Sequence, residues 1–167
     1  MLAREPRIWF SVSATDRARR AGEVDGRDYL FISPEEFRDI RDAGGFLECF
    51  DVYGDLKGTP RAPVEEHLRL GDDVLLEVDV QGAMAVRQAF PDALLIFVRP
   101  PSREVQRRRL LDRDPDIDPT DLGRRLAEAD AEEALAAEFD ASVVNDDLDD
   151  AVGEIQGLMA RRRLGGT

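Results

Sequence analysis

The stretch Asp73 to Leu111, DVLLEVDVQGAMAVRQAFPDALLIFVRPPSREVQRRRLL, decides the fold. Val74 to Val78 reads as a buried strand, Gln81 to Ala89 as a helix, Ala93 to Val98 as a second apolar strand and Ser102 to Leu111 as a second helix. Apolar runs of strand length, separated by segments of helical period, are the pattern of a parallel sheet whose crossovers are helices. The chain is therefore read as α/β, with a parallel sheet and flanking helices.

The same reading extends in both directions. Upstream, Arg7 to Ser13 (RIWFSVS) predicts a short strand, and the polar, arginine-rich segment from Ala14 to Arg27 predicts a loop. Ser33-Pro34-Glu35-Glu36 combines an N-cap serine, proline at the first helical position and an acid at the third, so a helix opens there and stops at Gly44-Gly45. Phe46 to Tyr53 predicts a strand, Gly54 to Gly58 a tight turn, and Ala62 to Arg69 a helix ending near Gly71. Downstream, five of the seven residues from Asp112 to Asp118 are charged, and Asp118-Pro119 starts a charged helix expected to run to about Ala137 as an exposed excursion. A strand at Ala141 to Val144 and a helix at Leu148 to Arg163 complete the chain, with Gly165-Gly166 fraying its end.

Composition bounds the function. At 167 residues, 43% of them hydrophobic, one ordinary core suffices and full disorder is excluded. The 35% charged content and the lack of a long apolar run exclude a membrane helix, and the opening Met-Leu-Ala-Arg-Glu-Pro lacks the apolar region of a secretory leader, so a cytoplasmic protein is expected. A net charge of −13 opposes binding to nucleic acid, although a small nucleotide needs only a local cationic cluster. Every basic residue except Lys57 is arginine, a planar fork suited to bidentate phosphate contact. Cys49 and His67 are the only residues of their kinds, so a disulfide or a Cys/His zinc site is not expected; they read as a small buried hydrophobe and a surface helix residue.

Three stretches carry the chemistry. In SVSATDRARRAGEVDGRDY (Ser11 to Tyr29), Arg17 and Arg20 either are solvated loop cations or converge on one phosphate, with the Tyr29 hydroxyl as a further donor. In GGFLECFDVYGDLKGTPRAPVEE (Gly44 to Glu66), Glu48 stands among apolar neighbours and either faces outward or needs a partner. Guanine would be one, because its N1–H and exocyclic N2 donors face the same way and a carboxylate accepts both, whereas adenine has no such pair. In DVLLEVDVQGA (Asp73 to Ala83), Glu77 and Asp79 are expected to close a strand and to share a face, where they could address a magnesium ion or a sugar and base.

Together with PDALLIFVRPPS (Pro91 to Ser102), the RRLAEA segment from Arg124 and VVNDDL (Val143 to Leu148), these stretches resemble guanylate kinase in order and spacing over nearly the whole chain. The resemblance implies a P-loop-kinase-like single domain, with a GMP-binding subdomain at about 14–65 and a helical lid at about 112–137. It implies that Arg17, Arg20 and Tyr29 hold the GMP phosphate, and that Ser13, Glu48, Thr59 and Asp79 surround the guanine. It also implies that Glu77 lies near a magnesium ion that accompanies ATP, that Arg113 and Arg125 are catalytic lid arginines, and that Asn145 borders the ATP base and ribose. The implied reaction is phosphoryl transfer from ATP to GMP, giving ADP and GDP.

The chain departs from that family in three places. The family begins with a strand and a G-x-x-x-x-G-K-S/T loop that holds the ATP phosphates. Here Leu56 precedes the single lysine, Lys57, so the motif is nowhere in the 167 residues, and residue 1 corresponds to a point in the helix after that loop. Lys57 stands where the family usually has a tyrosine contacting the GMP phosphate, and Ala18 and Ala21 replace loop prolines. Three readings of the first departure are open: an enzyme whose start lies upstream of Met1, a binding module that has lost catalysis, and a truncated remnant. The retained guanine and phosphate residues fit the first.

Overall fold

The computed structural model describes residues 7–52 and 54–165. The opening six residues read above for a leader, Tyr53 as a strand end and Gly166 as a frayed end lie outside them. The chain separates into two compact units, one through Asp92 and one from Ala93 onward. Among the described residues no helix is long and apolar enough to cross a membrane.

In the first unit β1 (Ile8–Phe10) pairs with β6 (Asp73–Leu75) in parallel, with Trp9 opposite Val74. The expected strand to Val78 ends at Leu75, since Glu77 to Asp79 form the approach to α3 (Val80–Ala89) rather than sheet. Glu77 and Asp79 are thus not strand neighbours on one face. Asp79 is instead the N-cap of α3, its Oδ1 accepting the Gly82 N–H at 2.7 Å and satisfying one of the orphan donors of the first turn.

The second sheet of this unit is mixed rather than parallel. Its order is β3 (Leu30–Phe31), β2 (Ala14–Thr15), β5 (Asp55–Pro60) and β4 (Phe46–Val52); β2 and β3 run parallel, whereas β2–β5 and β4–β5 are antiparallel. Two expectations are corrected here. Ala14-Thr15 is a buried strand that opens the arginine loop, with the Thr15 hydroxyl donating to the Leu56 carbonyl at 2.8 Å. Asp55 to Pro60 is a strand and not a turn, because Gly54, at φ +87°, makes the reversal with its N–H given to Asp51 Oδ1 at 2.7 Å. Apolar alternation is absent from DLKGTP, which left that strand unreadable.

Helix α1 (Pro34–Asp42) starts as its capping residues require, with Ser33 Oγ accepting from the Glu36 N–H at 3.1 Å, and the chain leaves it through Gly44 at φ +71°. Its Phe37 is fully buried and stacks on Phe46 at 4.5 Å between ring centres, forming with Ala14 a core to which Leu30, Ile40, Cys49 and Leu56 add. Burial pushes the Cys49 thiol up, as suits a small hydrophobe. His67 on α2 (Arg61–Leu70) is more engaged than a surface residue: it stacks on Trp9 at 4.0 Å, and its Nδ1 is 2.7 Å from Asp72 Oδ2.

In the second unit β7 (Ile96–Arg99) pairs in parallel with β8 (Ala141–Val144). Its strand begins three residues later than expected, because Leu95 turns its N–H to the Asp140 carboxylate and its carbonyl to the Asp140 N–H. Ser102 caps α4 (Arg103–Arg113), and Asp118 caps α5 (Pro119–Ala134), which gives way to a 3-10 turn at Ala136–Glu138 instead of running to Ala137. Helix α6 (Leu148–Gly165) ends the described chain. Parallel strands joined through helices, in each unit, make the fold α/β as expected.

Candidate functional site

The candidate residues fall into two groups, one in each unit. In the first, the register of the β4–β5 hairpin sets Glu48 directly opposite Thr59. The fully buried Thr59 hydroxyl donates to Glu48 Oε1 at 2.5 Å, and Thr59 is the only hydrogen-bond donor to this carboxylate among the described residues. Helix α3 closes on the same point, since a Cβ built on Gly82 would lie 3.5 Å from Glu48 Cδ and 3.4 Å from Asp79 Oδ1. Glu48, Thr59 and Asp79 are therefore brought together. Desolvation pushes the Glu48 carboxyl above the usual carboxylate range, the Thr59 hydroxyl opposes this, and the charge of Asp79 adds to it. A half-buried carboxylate of this kind is held short of acceptors' full complement of donors and suits a ligand that brings N–H groups.

The arginine loop supplies the cations. Arg17 is pulled out of solvent, its side chain only 8% exposed, by a bidentate pair with Glu23: Nη1 to Oε2 at 2.8 Å and Nη2 to Oε1 at 2.5 Å. The Arg20 N–H also donates to Glu23 Oε2, at 2.7 Å. The Arg17 hydrogen bond first and the Arg20 N–H second hold the Glu23 carboxyl down at about 2. The Arg17 guanidinium lies 5.0 Å from the Tyr29 ring centre and 5.4 Å from that of Phe31. Arg17 and Tyr29 are thus adjacent, whereas the Arg20 side chain projects from an exposed residue. Ser13 immediately precedes β2 and accepts the Leu30 N–H at its carbonyl. Glu23 was not singled out by sequence, although its place three residues after Arg20 within the loop was a usable signal.

In the second unit Arg113 and Asn145 line one cavity of about 320 Å³ together with Val98, Pro100, Arg109 and Leu110. Arg109 was missed by sequence reading; its Nη1 donates to the Asn145 carbonyl at 2.9 Å and its Nη2 to the Asp146 carbonyl at 3.5 Å, tying α4 to the end of β8. The spacing of Arg109 and Arg113, four apart on one helix face, was the available clue. Arg125 does not line this cavity and is half-buried on α5. Helix α5 is joined to α4 by Arg103, which donates to the Leu126 carbonyl and pairs with Asp130 at 2.5 Å.

As for metal, no group of three or more Asp, Glu, His or Cys residues capable of holding an ion occurs among the described residues, and Glu77 is exposed. That donor set fits only a magnesium ion held mainly by phosphate oxygens and water.

Comparison with known proteins identifies the family. The sequence profile of the family described as Guanylate kinase matches residues 2–162. The chain is 48% identical over 159 residues to a guanylate kinase of Parasynechococcus marenigrum (strain WH8102), covering 95% of this chain and 87% of that one. It is 46% identical over 166 residues to a guanylate kinase of Mycobacterium sp. (strain MCS), covering 98% and 83% respectively. The crystal structure of guanylate kinase from Anaplasma phagocytophilum superposes with a TM-score of 0.79 at 32% identity, over 93% of this chain and 76% of that one. With a family profile spanning nearly all of its length, this chain belongs to the guanylate kinase family of nucleotide kinases.

Proposed function

We propose that the first unit binds GMP and that the reaction served is phosphoryl transfer from ATP to GMP. The observation that carries this is Glu48, a half-buried carboxylate whose hydrogen bonds among the described residues come from Thr59 alone. Guanine brings two N–H donors that a carboxylate accepts side by side, which adenine cannot. Asp79 and Ser13 complete the base side, and Arg17, Arg20 and Tyr29 the phosphate side, within a subdomain of about 14–65. Arg17 meets the phosphate by exchanging its bidentate Glu23 partner for phosphate oxygens, or by sharing it.

In the second unit the cavity beside Asn145 takes the base and ribose of ATP, its apolar walls Val98, Pro100 and Leu110 lying against the base and Arg109 and Arg113 near its charge. Arg113 and Arg125 belong to a lid of about 112–137, which supplies cations where charge develops on the transferred group and excludes water. Glu77 would orient a water of the magnesium ion, whose bound form neutralises phosphate charge. All of this belongs to one domain.

The 167 residues contain no G-x-x-x-x-G-K-S/T, so we propose that this polypeptide by itself binds GMP without transferring phosphate. The test of the acceptor site is calorimetry with GMP and AMP. GMP should bind, AMP should not, and Glu48→Gln should weaken GMP by on the order of 100-fold, as the charge and one of the two acceptors are lost and an amide NH2 is set against a guanine N–H. Equal binding of GMP and AMP, or an unaffected Glu48→Gln variant, would refute the reading.

A further inference from the structure

Gly82 is a glycine that its own backbone does not require. It is the third residue of α3, it is buried, and it is not among the glycines with positive φ. Alanine is the better helix former, so the reason for glycine lies in what surrounds it. A Cβ built there would stand 3.0 Å from Val78 Cβ, 3.4 Å from Asp79 Oδ1 and 3.5 Å from Glu48 Cδ. Two other closely packed glycines of the first unit keep different company: Gly45 meets Ile40, and Gly58 meets Cys49, Phe46 and the Glu48 carbonyl. At Gly82 two carboxyl groups border the place of the missing side chain.

These carboxylates come from separate elements. Glu48 lies on β4 opposite Thr59, and Asp79 caps α3, which packs against β4. Asp79 Oδ1 accepts the Gly82 N–H at 2.7 Å and Glu48 Oε1 accepts the Thr59 hydroxyl, so among the described residues Asp79 Oδ2 and Glu48 Oε2 are left for a ligand. The spacing of those two oxygens is set by how closely the first turn of α3 approaches β4, and Gly82 is the residue at that approach. A methyl group there would force Val78 to give by a few tenths of an ångström. Val78 directly precedes Asp79, so the displacement is passed to the capping carboxylate, while the Glu48–Thr59 pair belongs to a hairpin that has no need to move.

We propose that Gly82 is a positioning residue for base selection: its missing side chain sets the spacing of the Glu48 and Asp79 carboxylates, and with it the preference for a purine bearing an exocyclic amine beside its ring N–H. This inference rests on the GMP reading of the cleft given above. Hypoxanthine keeps the N1–H of guanine and lacks the amine, so IMP set against GMP isolates the part of recognition that depends on this spacing.

Calorimetry of the 167-residue chain with GMP and with IMP, run beside thermal unfolding, tests it. The native chain should favour GMP over IMP by on the order of 10- to 100-fold, the effect of one amine on charged acceptors. Gly82→Ala should weaken GMP by about tenfold and IMP by no more than about threefold. Its melting temperature should stay close to the native one, because a better helix former offsets one tight contact. A merely structural glycine would instead lower the melting temperature and weaken both nucleotides alike. Gly153→Ala on α6, with nothing within 4 Å of the added Cβ, is the control and should leave both affinities unchanged. Asp79→Glu alters the same spacing without touching Gly82 and should lower the same ratio, which keeps the test decisive if Gly82→Ala does not fold. A native GMP-to-IMP ratio in either folded variant, or a native chain that binds the two equally, overturns the proposal. The two levels of inference separate: a native chain that binds GMP no better than AMP refutes the GMP reading itself, whereas one that separates GMP from AMP with a GMP-to-IMP ratio indifferent to Gly82→Ala refutes only the role of Gly82.

Discussion

The two units hold their candidate residues in opposite ways. In the first, three of them are fixed by a partner belonging to the local fold: Glu48 by Thr59, Arg17 by Glu23 and Asp79 by the Gly82 N–H. In the second, α4 has no buried residue, Arg113 is exposed, and the charged pairs of α5, such as Arg124 with Asp121 and Glu128, are local to one exposed helix face. Among the described residues the buried apolar side chains number nine in the first unit and four in the second. On the proposed reading, the difference teaches that base recognition would be built by packing, which fixes geometry before a ligand arrives, whereas the arginines proposed for transfer sit on helices held mostly by polar contacts and able to move at small cost.

Removing the packing should break this contrast most. Phe37→Ala deletes a fully buried ring stacked on Phe46, and urea denaturation should show a loss of about 3–5 kcal/mol. A loss under about 1 kcal/mol would mean that the first unit is not held by this core.

Acidification sharpens it next. The folded-state pKa of Glu48 is raised, so the folded protein takes up a proton before the unfolded chain does, and lowering pH through that range favours the folded state at this residue. Guanine binding runs the other way, because the protonated carboxyl accepts only one donor well. Guanosine, which carries no titrating phosphate, should lose on the order of tenfold in affinity as pH falls from neutral, beginning above the ordinary carboxylate range. The Glu48→Gln variant should show a flat profile; a native profile equally flat would contradict the assignment.

Smaller effects compare the helix starts. Ser33→Ala in the first unit and Ser102→Ala in the second each remove an N-cap hydrogen bond, and each should cost about 1 kcal/mol in thermal unfolding. If only the first registers, α4 frays without its cap mattering to the whole. Smallest of all, Arg124→Gln should leave thermal stability nearly unchanged, since its pairs with Asp121 and Glu128 lie in solvent. A larger loss would show that the charged face of α5 is structural after all.

Sequence alone determined what depends on near neighbours. The helix starts at Ser33, Ser102 and Asp118 were legible because capping is chemistry between residues two or three apart. The β8 strand at Ala141 to Val144 and the α/β class followed from apolar runs, whose burial needs no knowledge of the partner strand. Only the tertiary structure decided the rest. That Lys57 stands opposite Thr15, that Glu48 faces Thr59, that Glu23 holds Arg17 and that Asp79 caps a helix instead of closing a strand are matters of register and loop path. A strand can slide by one residue and still look the same in sequence, yet every side chain changes face, so packing alone selects the pairs that make this site.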